Sequence, residues 1–98
     1  MKRVKKTVVA AADPLVANHD THGDFDECSR VSQALLRTMR SAPRWKDLTD
    51  AQVEAIQMIA HKLHRITCGD PNHLDHWVDI AGYARLAQRS IEKSKGVT

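Results

Sequence analysis

Two residue types, each set in pairs, carry most of the chemistry this chain could perform. His22-Gly-Asp24-Phe-Asp26-Glu27 places three carboxylates around a helix start. Asp75 and Asp79 stand four apart, on one face of a later helix. Carboxylates on two helices of a small bundle suit Mg²⁺, which takes oxygen ligands, keeps waters and is completed by substrate phosphates. On that reading Asp24, Glu27, Asp75 and Asp79 hold the metal. Lys62 and Arg65, on the helix between them, meet the phosphates. A plainer reading competes: acids in a first helical turn answer the helix dipole, and Asp75 pairs with Lys62 or Arg65.

All six histidines fall in pairs three apart, His19/His22, His61/His64 and His73/His76. That spacing puts both rings of a pair on one helical face. His22, His61 and His76 are candidate ligand contacts, together with Tyr83, whose position off the apolar stripe leaves its hydroxyl for a polar partner. Trp77 is spaced with the apolar stripe and is expected in the core. His61, His64 and Cys68 form a line that zinc would accept. No Cys-x-x-Cys or His-Glu-x-x-His accompanies it, so zinc is not expected. There is no G-x-S-x-G elbow, no P-loop and no G-x-G-x-x-G, which argues against a covalent hydrolase and the familiar nucleotide folds.

The elements that must position these residues read as helices. Asp13-Pro14 starts a short one over about 14–20. A second runs from Asp24 or Asp26 to Arg40, with Phe25, Cys28, Val31, Leu35 and Met39 inward. Ser41-Ala-Pro43 ends it, and Trp45 and Leu48 fold back from the connection. Thr49-Asp-Ala-Gln52 is a capping box that opens a long helix over 50–68, lined by Val53, Ile56, Ala60, Leu63 and Ile66. Gly69 as the C′ residue and Pro71 stop it. The last helix spans 73–93, with Leu74, Trp77, Ile80, Ala84, Ala87 and Ile91 inward. Ala81, Gly82 and Ala84 lack bulk there, and a glycine inside a helix hints at close approach by a neighbour. The expected fold is all-α, a small bundle of three to four antiparallel helices. Residues 1–12 form a basic leader, 13–93 a single helical domain and 94–98 a tail.

Length and charge narrow the function classes. The chain has 98 residues, enough for one domain with a thin core. Aromatics make up 4%, so a second copy is expected to complete the core and the chain to form a homo-oligomer. The net charge of +3 owes four of its fifteen basic residues to Lys2, Arg3, Lys5 and Lys6. The rest is close to neutral, with no basic stripe for specific nucleic-acid binding. No apolar run approaches a membrane span, and the five apolar residues from Val8 to Ala12 are too few for a signal peptide. Two cysteines fit a reducing cytoplasm.

Four strings together resemble a known family: His22-Gly-Asp24-Phe25, then Lys62-Leu-His-Arg65, then Gly69-Asp70, then Asp75-His-Trp77-Val-Asp79-Ile-Ala-Gly82-Tyr83-Ala84. They look like the small helical proteins of tailed phages and prophages with an H-G-D-F … K-x-x-R … G-D … D-x-W-x-D-I-A-G-Y-A signature, a family of unknown function. More distantly the pattern is similar to nucleotide-modification-associated phage domains and to MazG-type all-α nucleotide pyrophosphatases. The latter resemblance implies Mg²⁺-dependent cleavage of nucleoside triphosphates by E-x-x-E and E-x-x-D motifs. Here glutamate occurs only at Glu27, Glu54 and Glu92, and neither motif is intact. The resemblance therefore implies a phage-encoded protein of the host cytoplasm that binds a nucleotide phosphate, with three alternatives. It hydrolyses the nucleotide, sequesters a signalling nucleotide in counter-defence, or inhibits a host protein.

Overall fold

The computed structural model describes residues 24–97, which form three α-helices and one short 3₁₀ turn, with no strand among the described residues. Helix α1 is Phe25–Arg40, the 3₁₀ turn Trp45–Asp47, α2 Asp50–Cys68 and α3 Leu74–Ser94. The short helix expected over 14–20 lies outside the described residues.

Each start follows from a local cap. The Asp24 carboxylate accepts the Glu27 backbone N–H at 2.9 Å, satisfying one of the donors that an α-helix leaves open. At α2 the capping box is complete: Thr49 Oγ1 accepts from Gln52 N at 3.1 Å, and Gln52 Oε1 accepts from Thr49 N at 2.9 Å. Helix α2 stops at Gly69, whose N–H bonds the Arg65 carbonyl. Its φ of −127° differs from the left-handed C′ geometry the sequence suggested. The reversal into α3 is held by side chains instead. Asp70 Oδ1 accepts from Asn72 N at 2.9 Å, and Trp77 Nε1 donates to the Pro71 carbonyl at 2.8 Å.

Helix α2 is the centre of the molecule and packs against both of its neighbours. Both pairings are antiparallel. Lys62 meets Asp79 across the α2–α3 turn, and Cys28 near the start of α1 hydrogen-bonds Cys68 at the end of α2. The two cysteines form no disulfide. Burial raises the Cys28 thiol to about 11, helped by the adjacent Cys68.

Among the described residues the buried apolar side chains are Cys28, Leu36, Ala55, Ala60 and Ile66, joined by the polar Ser32, His64 and His76. Two expected faces are corrected by this set. On α1 the buried line is Cys28, Ser32 and Leu36, stepping strictly by four, the ridge that packs into a neighbouring helix's groove. Val31, Leu35 and Met39 lie half-buried at its edge, and Phe25 is exposed. Leu35 and Met39 instead line an apolar hollow of about 180 Å³ with Ile56, Ile59, Ala60 and Leu63.

On α3 the correction is larger. His76 is buried, with Ile80, Tyr83 and Ala87 half-buried beside it. Leu74, Trp77, Ala84 and Ile91, expected inward, are exposed. Trp77 is fixed over the turn by its indole hydrogen bond, so its ring stays at the surface. No described helix is long and apolar enough to cross a membrane.

Candidate functional site

The antiparallel α2–α3 hairpin brings together the cations and one of the acids singled out by their spacing. Lys62 Nζ lies 3.0 Å from Asp79 Oδ2. The lysine side chain is 19% exposed and the aspartate 43%, so the pair sits at the lip of the seam. Arg65, one turn further along α2, shares its face with Lys62. Its Nη1 stands 3.4 Å from His61 Nε2. Its Nε is enclosed and meets no hydrogen-bond acceptor among the described residues. A buried guanidinium N–H without an acceptor is costly, which makes this the most conspicuous electrostatic feature of the hairpin.

The histidine spacing translates into ring contacts. His61 and His64 meet edge to face with centroids 4.9 Å apart, and His73 and His76 lie tilted at 4.5 Å. His61 thus joins Arg65 to a ring that is itself buried. His64, weighed above only in the His61–His64–Cys68 line, is one of three buried polar side chains among the described residues. The available signal was its place four residues after Ala60, on the side of α2 turned toward the bundle. His76 is buried under α2, and Tyr83 lines an open hollow with Val78, Asp79, Gly82 and Leu86. His22 lies outside the described residues.

The carboxylates proposed for a metal are distributed over separate tasks. Asp24 caps α1, Glu27 pairs with Arg30, and Asp79 pairs with Lys62, while Asp75 is exposed. The Glu27 carboxylate also holds the Arg30 guanidinium more firmly protonated. Among the described residues no three histidine, cysteine or acidic side chains gather to hold a metal ion. These acids form no ready-made cage of protein ligands for Mg²⁺ among the described residues.

No curated protein and no solved structure matches the chain. The family model for the domain of unknown function DUF6378 matches residues 7–91. That span takes in all of α1 and α2, nearly all of α3 and most of the sequence before them, so the chain belongs to the DUF6378 family.

Proposed function

We propose that this protein binds the phosphate groups of a nucleotide at the lip of the α2–α3 seam, with Lys62 and Arg65 as the holding cations. The observation that carries the reading is the enclosed Arg65 Nε, which meets no acceptor among the described residues, one turn from a lysine that is largely covered. The enclosed Nε anchors a guanidinium that no carboxylate among the described residues neutralises, and its fork suits a phosphate oxygen at the lip. Asp79 keeps Lys62 in place before the ligand arrives and is displaced or bridged when it does. His61, in contact with Arg65, fixes the guanidinium's direction.

Retention without hydrolysis is the favoured form of this function, because the four carboxylates divide among capping, pairing and solvent. The nucleotide class, a phage setting and sequestration of a signalling nucleotide come from the family resemblance alone.

The test is incubation of the pure protein with a panel of nucleoside triphosphates, deoxynucleotides and cyclic dinucleotides. Mass spectrometry would then read both the solution and the material retained on the protein. The expected result is an unaltered nucleotide on the protein, held roughly tenfold or more weakly by Arg65→Ala, the scale of a lost charge-assisted hydrogen bond. Release of monophosphate and pyrophosphate would replace retention with hydrolysis. Absence of any retained nucleotide would overturn the reading and turn attention to a protein partner. Equal retention by a Lys62→Ala/Arg65→Ala double variant would do the same for the proposed site.

A further inference from the structure

Helix α3 carries an unusual surface on the flank that runs out from its seam with α2. Val78 and Leu86 are 56% and 58% exposed, four residues to either side of Gly82. With Asp79 and Tyr83 they line an open hollow of about 500 Å³ centred on that glycine. Among the described residues a Cβ added at Gly82 would meet nothing within 4 Å, so no contact among them calls for glycine there. Glycine nonetheless weakens a helix interior relative to alanine. Close approach by a further helix accounts for it, and none of the described helices makes it.

The charges on the same face identify that helix. Asp79 and Arg85 lie three residues either side of Gly82, and Asp75 and Arg89 seven. At 100° per residue all four, with Val78 and Leu86, fall within about 60° of the glycine's direction. Asp75, Arg85 and Arg89 are exposed and form no ion pair among the described residues. If a second α3 crosses antiparallel at Gly82, residues equidistant from the glycine come to the same level. Asp75 and Arg89, only about 20° to either side of the glycine's direction, then face each other across the seam, and that pairing occurs twice, with Val78 and Leu86 beside the crossing point. A parallel crossing would set Asp75 on Asp75 and Arg89 on Arg89, which repels.

We infer that α3 is the interface of a two-fold homodimer, two antiparallel copies crossing at Gly82 with Asp75–Arg89 pairs between chains. The surface is self-complementary, as an isologous contact requires. Its apolar centre is flanked by charges that set orientation and register.

Sedimentation velocity of the full chain over a wide concentration range should give a species near twice the 11.0 kDa chain mass. Arg89→Asp alone and Asp75→Arg alone should each be monomeric, since each places like charges opposite one another. An equal mixture of the two should recover the dimer, because every pairing across the mixed interface becomes opposite again. Gly82→Glu gives an independent check that helix formation does not confound: its side chain enters open space in the monomer but fills the crossing point, so helical content stays while the dimer is lost. A wild-type chain that remains monomeric at its highest soluble concentration would overturn the inference. So would a dimer that survives these substitutions, or a mixture that fails to reassociate.

Discussion

The two sides of α3 reverse the usual distribution of polarity. The side against α2 buries His76 and carries Asp79 to Lys62, whereas the side facing away exposes Leu74, Val78 and Leu86 around a glycine. An inner seam rich in polar groups is costly unless each finds a partner, and such seams persist where a ligand or a network supplies it. An outer face of apolar residues and unpaired opposite charges gains nothing in an isolated chain. The contrast is what the proposed ligand site on the inner side and the proposed association on the outer one both rest on.

The largest effect that would sharpen this contrast belongs to the core between the helices. Ile66→Ala removes a buried side chain of α2. It should cost about 2–5 kcal/mol, seen as a lower denaturation midpoint with an unchanged slope. A cost below about 1 kcal/mol would show that α2 packs more loosely than its burial indicates.

Next comes the α1–α2 contact, read through pH. In the folded chain Cys28 keeps its proton up to about 11, whereas an ordinary thiol of this kind ionises near 9. Stability should therefore be level below about pH 9 and fall as the pH rises toward 11, because the unfolded chain releases the proton first. Denaturant melts across that window check it, and Cys28→Ala should flatten the slope.

Smaller again is Gly82→Ala. Measured under dilute conditions, where the chain stands alone, it should raise stability by about 1 kcal/mol through helix propensity. A loss instead would mean that the added methyl group meets something within the monomer. The smallest effect is expected from Leu74→Ala, at 71% exposure. Within about 0.5 kcal/mol of wild type is the expectation for an isolated chain, and a larger loss would break the assignment of α3's outer face.

Some of this was legible in the chain and some was not. The capping box Thr49–Gln52 and the stop at Gly69-Asp70-Pro71 marked α2 to the residue, because caps act through backbone groups a few positions away. The bounds of α3 were nearly as clear. The orientation of its faces was not: Leu74, Trp77 and Ile91 share a helical stripe yet remain at the surface. Periodicity reports that a helix has an apolar side, but the α2 surface against it decides which side is covered. The same applies to Asp75 and Asp79, four apart and equally acidic, of which only Asp79 reaches Lys62.

The sequence by itself determined that the chain is helical, the limits of the three described helices to within a residue or so, and the pairing of histidine with histidine at His61/His64 and His73/His76, since each depends on spacings of three or four residues and on local caps. Tertiary structure alone decided that Arg65 would be enclosed beside Lys62, that the carboxylates would not gather, and that Gly82 would face open space. Those outcomes depend on how α2 and α3 rotate about their axes when they pack, a choice made by the fit of two surfaces that no local spacing encodes.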